Sequence, residues 1–135
     1  MLIGADRRRG SLDDILAYTS AAIAVGWGIA HLVPTRKVVA GFGDLSEDNR
    51  LVLTMEWISE GMALVFVGLL VGVVAFVGET GDDLVLVVDA LAAAMLVAMA
   101  ILTAVTGARG SVVFFKICPF VKGLAAALLV GAMLV

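Results

Sequence analysis

Hydrophobic positions along the chain gather into four long runs separated by short polar clusters, and the runs are too continuous to be one face of a soluble helix. The first extends from about Ile15 to Val33, the second from Leu51 to Val77, the third from Leu84 to about Val105 and the fourth from Val112 to Val135. Each holds about 19 to 27 residues, enough at 1.5 Å per residue to cross roughly 30 Å of hydrocarbon. The polar positions mark where they start and stop. Ser11, with Asp13 and Asp14 after it, opens the first helix and Pro34 ends it. Ser46 is placed to cap the second. The clusters GETGDD (Gly78 to Asp83) and TGARGS (Thr106 to Ser111) are short enough to be turns, and only Pro34 to Arg50 forms a sizeable loop, with a turn at Gly41-Phe42-Gly43-Asp44. The pattern predicts a single all-α domain. It is an integral membrane four-helix bundle, antiparallel, with both termini on the same side.

Composition strengthens this reading. Hydrophobic residues make up 62% of the 135 and charged residues 16%, with a mean hydropathy of +1.13. A soluble domain is about half apolar and about one quarter charged. The net charge is only −3, and no basic run extends beyond Arg7-Arg8-Arg9, so nucleic acid is excluded as a partner. One cysteine, Cys118, leaves no internal disulfide, no CxxC pair, and no iron–sulfur or thiolate zinc site built by one chain, and no metal site is assigned. No small-residue cleavage site follows the first apolar run, which is therefore expected to stay as the first membrane helix. Basic residues are nearly balanced: Arg7, Arg8 and Arg9 fall on one side, and Arg36, Lys37, Arg50 and Arg109 on the other. The positive-inside count leaves the orientation open.

Small residues recur four apart at Ala22/Gly26, Ala24/Gly28, Gly68/Gly72, Ala90/Ala94/Ala98 and Ala127/Gly131. Such seams let helices approach closely, and each helix is expected to pack on its seam.

The candidate chemistry lies in charges within the runs, where an ionised group is costly without a partner. From the helical rise, Glu56 and Glu60 lie about 8 and 14 Å deep from one side, and Lys116 and Lys122 about 8 and 16 Å deep from the same side. These depths predict two pairs, Glu56 with Lys116 and Glu60 with Lys122. Six residues of helix would put the lysines about 240° apart, and a kink at Pro119 is expected to turn both toward one cavity. His31, near the end of the first run, and Arg109, in the third connection, can join the same half of the bundle. The cluster Glu56, Glu60, His31, Lys116, Lys122 and Arg109 is read either as a ligand-binding or proton-relay cavity or as ion pairs that neutralise each other between helices. His31 is weighed as a proton carrier and, more simply, as a hydrogen-bonder at a helix end. Trp27 and Trp57 are read as an interfacial belt, Met55, Met62, Met95 and Met99 as packing, and Cys118 as a small buried apolar residue. Asp89, toward the opposite side, is expected to be hydrated.

The first run ends in GWGIAHLVPTR, the second carries EGMALVFVGLLVG, the third LAAAMLVAMAIL, and the fourth is rich in Gly and Ala. This layout, with Glu60, Gly61, Leu64, Gly68, Leu69 and Leu70, resembles the DoxX-like small four-helix membrane proteins. The resemblance implies an accessory or quinone-facing role beside other membrane proteins and transfers no catalytic residue. The function expected is therefore a non-catalytic plasma-membrane protein whose polar cavity binds a quinone or lipid, without a covalently bound cofactor. Its expected partners are the lipid bilayer and either a second copy or another membrane protein. Two alternatives stand beside it: a proton-coupled transporter, and an intramembrane isomerase that uses His31 with Glu56 or Glu60 for proton transfer.

Overall fold

A computed structural model describes residues 11–78 and 82–135. The arginines at 7–9 and the middle of the second turn, 79–81, lie outside them. The described residues are helical almost throughout: α1 (Leu12–Leu32), α2 (Thr35–Ala40), α3 (Glu47–Val77), α4 (Asp83–Val105), a 3-10 turn (Gly107–Arg109) and α5 (Val113–Leu134). Among them α1, α3, α4 with the turn after it, and α5 are long and apolar enough to cross a membrane. Their most apolar stretches bury only 28–33% of their residues inside the protein. Most of that apolar surface therefore faces outward, which water would penalise and hydrocarbon would not.

The Ser46 cap is as expected, whereas Ser11 precedes α1 without a side-chain cap bond and Asp82, read only as turn, caps α4. Ser46 caps α3 by accepting a hydrogen bond from the Asn49 backbone at 3.2 Å, and Asp82 caps α4 by accepting one from Leu84 at 3.1 Å. One element was not expected. TRKVVA, read as loop, forms the short helix α2 and buries Val39. The chain then turns at Gly43, whose φ of +79° is strained for any residue with a Cβ.

Helix α1 packs along both α3 and α5, and α5 along α4, whereas α3 and α4 touch only briefly. The four thus run α3, α1, α5, α4 around an open seam. The core joins Ala17 and Ala21 of α1, Leu64, Val67 and Val71 of α3, Ala92, Ala93 and Leu96 of α4, and Ala125, Ala126 and Leu129 of α5. Ser20 donates to the Ala125 carbonyl at 2.7 Å, a buried link between α1 and α5.

Among the glycines within the described helices, the tightest approach is between α1 and α3. A Cβ added at Gly28 would stand 2.7 Å from the Gly61 carbonyl oxygen, and one at Gly68 would stand 2.7 Å from that of Ala21. The other proposed seams do not hold helices together: Ala22, Gly26, Ala90, Ala94, Ala98 and Ala127 face outward, and a Cβ at Gly72 or Gly131 would meet only ordinary contacts. Spacing of four finds a helical stripe without telling which stripe faces a neighbour.

Asp89 departs from expectation. It is 6% exposed, and among the described residues its Oδ1 has no hydrogen-bond partner. It borders a cavity of about 50 Å³ shared with Asp13, Asp14, Val74, Leu86 and Met133. An unsatisfied buried polar atom costs about 1–3 kcal/mol, so Asp89→Leu is expected to raise the melting temperature, measured by a thermal scan in detergent. A lower melting temperature would show that the carboxylate has a stabilising partner.

Candidate functional site

Lys122 organises the site. It extends from α5, is 1% exposed, and is held between two helices by an ion pair with Glu60 of α3 and by donation to Thr103 Oγ1 of α4 at 2.8 Å. Thr103 passes its own hydrogen to the Met99 carbonyl at 2.8 Å. A buried ammonium needs such satisfaction, because desolvating an unpaired charge costs several kcal/mol.

His31 comes from the last turn of α1 and is 0% exposed. Its Nδ1 lies 3.0 Å from the Trp27 carbonyl oxygen, which can only accept, so Nδ1 carries the hydrogen. That leaves Nε2 facing inward, 3.9 Å from Glu60 Oε2 and 3.8 Å from Cys118 Sγ. Aromatic rings wall this corner. Trp57 stacks on His31 at 4.8 Å between centroids, and Phe114 meets it edge-on at 5.1 Å. Because α1 ends at Leu32, the His31 carbonyl lacks a helical partner; Trp57 Nε1–H donates to it at 2.6 Å. Trp27 stacks on Phe114 and donates to Cys118 Sγ at 3.2 Å.

The expected Glu60–Lys122 pair is present, and His31 joins it. The second pair is not. Glu56 is exposed beside the cavity described below, while Lys116 is exposed on the far α4/α5 face with Ala100, Ala104 and Phe120. Helix α5 runs through Pro119 as one helix, so the expected kink does not bring the two lysines to one cavity. Arg109 is exposed in the 3-10 turn and forms no ion pair with Glu60. Matching depth was a valid but incomplete criterion, because angular position around the helix decides which side chains meet. His31 meets Glu60, not the Glu56 that lay nearer its depth.

The aromatic assignments change too. Trp57 is 4% exposed and part of the site rather than an outer belt. Thr103 was missed altogether; it sits in an apolar run, and only the position of Lys122 gives it meaning. Cys118 is buried as expected, at 0% exposure, but it touches two polar groups.

Along the open α3/α4 seam lies a cavity of about 390 Å³. Leu53, Trp57, Met95, Met99, Leu102 and Phe115 give it an apolar wall, and Glu56, Glu60 and Thr103 give it polar points. Met95 and Met99 thus line a cavity, while Met55 and Met62 are exposed on the outer surface. Such a space takes an apolar body and orients a polar head. Lys122 stands directly behind Glu60 and Thr103, so its charge lies just beyond the polar wall.

Comparison with known proteins adds no relative: no family model, curated protein or solved structure matches the chain.

Proposed function

We propose that the chain is an integral membrane protein, an antiparallel bundle with both ends on one side of the plasma membrane, that binds a quinone or lipid between α3 and α4 and serves as an accessory or redox-partner subunit. Contact pairs support the antiparallel arrangement. Along α1 and α5, Leu16 lies near Gly131, Ser20 bonds to Ala125 and Trp27 to Cys118; along α1 and α3, Ala21 adjoins Gly68 and Gly28 adjoins Gly61.

One observation carries the ligand reading: the apolar cavity and the buried charged cluster share Glu60 and Thr103. A lipophilic molecule would enter through the seam from the bilayer and bury its body against Met95, Met99 and Leu102. Its electron-rich head would be drawn toward the Lys122 charge behind the polar wall. The small contact between α3 and α4 makes that seam the easiest path of entry.

Native mass spectrometry of the protein from a mild detergent is expected to find one quinone or lipid held per chain, and Lys122→Met is expected to lose it while remaining helical. A wild-type protein with no retained molecule, or the same retention in the variant, would sink the proposal.

A second reading, a proton-transferring enzyme, is favoured by the 3.9 Å between His31 Nε2 and Glu60 Oε2, since two groups of different basicity then face one point. His31→Gln separates the readings: it would abolish turnover in an enzyme but leave quinone or lipid retention intact in a binding protein.

A further inference from the structure

The corner where His31, Cys118 and Glu60 converge is richer than lipid binding requires. Their ligating atoms come from α1, α5 and α3 and all lie within 4.8 Å of one another. We infer that His31 Nε2, Cys118 Sγ and a Glu60 oxygen form a binding site for one Zn²⁺ ion.

Distances support the inference first. Zinc binds sulfur at about 2.3 Å and nitrogen or oxygen at about 2.0–2.2 Å, so ligands around one ion stand about 3.3–3.8 Å from each other. His31 Nε2 is 3.8 Å from Cys118 Sγ and 3.9 Å from Glu60 Oε2, and all three donor atoms lie within 4.8 Å of one another, so the set draws together around a bound ion.

The supporting bonds point the same way. The Nδ1 hydrogen on the Trp27 carbonyl fixes the tautomer that frees Nε2, the arrangement typical of metal-bound histidines. Trp27 Nε1–H donates to Cys118 Sγ at 3.2 Å and holds the sulfur in place. Lys122 and Thr103 occupy the other side of Glu60, with Lys122 on Oε1, which leaves Oε2 toward His31. An entry path exists as well: His31 and Cys118 are fully buried, but Glu60 is 28% exposed and borders the α3/α4 cavity.

The ligand set selects the ion. One thiolate, one imidazole and one carboxylate suit zinc and not magnesium or calcium, which take oxygen alone. Binding converts the Cys118 thiol to thiolate, so one proton leaves per ion bound. Two negative ligands, the Lys122 cation and Zn²⁺ sum to +1, and three protein ligands leave one coordination position open. That position suits an anionic oxygen or a water of lowered pKa.

The test is titration of purified, metal-stripped protein with Zn²⁺ and with Co²⁺ as a spectroscopic substitute. One ion should bind per chain, with one proton released and, for Co²⁺, a thiolate charge-transfer band. Cys118→Ala and His31→Ala should each weaken binding by more than about 100-fold, and Trp27→Phe, which removes a supporting bond, by about 10- to 100-fold. Cys118→Ala should lose the metal while keeping quinone or lipid, since Cys118 does not line the α3/α4 cavity, so the site stands or falls separately from the ligand proposed above. No uptake of either ion by the wild-type protein would overturn the assignment without recourse to any variant. So would a Co²⁺ spectrum lacking the thiolate band, or unchanged affinity in folded Cys118→Ala and His31→Ala.

Discussion

Glu60→Leu is expected to destabilise the bundle by about 3–5 kcal/mol, and Lys122→Leu by clearly less. The two halves of the pair are not equivalent. Lys122 is 1% exposed, so without Glu60 its ammonium keeps only Thr103 in a site that water does not reach. Glu60 is 28% exposed and borders the cavity, so without Lys122 it can still be solvated. The double variant Glu60→Leu/Lys122→Leu removes both charges and is expected to recover most of the stability lost in Glu60→Leu, because apolar residues often replace a buried ion pair at little cost. Denaturant-induced unfolding in detergent micelles, followed by circular dichroism, measures all three. Equal losses in the two single variants, or a double variant as unstable as Glu60→Leu, would show that the pair is not buried as described. A double variant that is stable yet fails to retain quinone or lipid would place the pair in binding rather than in folding.

The second large effect is steric. Gly28→Val and Gly68→Val are each expected to cost about 2–3 kcal/mol, at the upper end for overpacking, because the added atoms meet backbone that cannot rotate away. The obstructions are the Gly61 carbonyl and the Val65 nitrogen at Gly28, and the Ala21 carbonyl and the Val25 nitrogen at Gly68. Gly26→Val, where nothing lies within 4 Å of the added Cβ, is the control and should be near neutral. If Gly26→Val proved as damaging as Gly68→Val, helix propensity rather than contact between α1 and α3 would be the cause.

The four long helices were legible because a span of hydrocarbon demands about 20 apolar residues, and little else in a sequence looks like that. The Ser46 cap was legible for a similar reason, since it depends on local chemistry alone. Partner choice was not. Glu60 and Lys122 could be matched by depth, but Glu56 and Lys116 match equally well and stand on different faces. Depth follows from counting residues, whereas rotation about the helix axis follows from packing, which four almost uniformly apolar helices barely encode. The small-residue stripes failed in the same way: every helix carries one, and only those at Gly28 and Gly68 face a close neighbour. Cys118 shows a further limit. A count of one cysteine reads as leaving no thiolate zinc site within one chain, but His31 and Glu60, distant in the chain, bring two further donor atoms within 4.8 Å of the one thiol. Only the fold places them together.

A lipophilic molecule that enters the α3/α4 seam and settles beside the Glu60–Lys122 pair would stand against Trp57. Trp57 lines that cavity and reports on it directly. In a Trp27→Phe background, with the protein in lipid nanodiscs, the remaining tryptophan fluorescence is measured during titration with a short-chain quinone and, in a parallel series, with a brominated lipid. Saturable quenching by one of the two is expected at one molecule per chain, abolished by Lys122→Met. Quenching that rises without saturation for both, and to the same extent in Lys122→Met, would contradict binding in the seam.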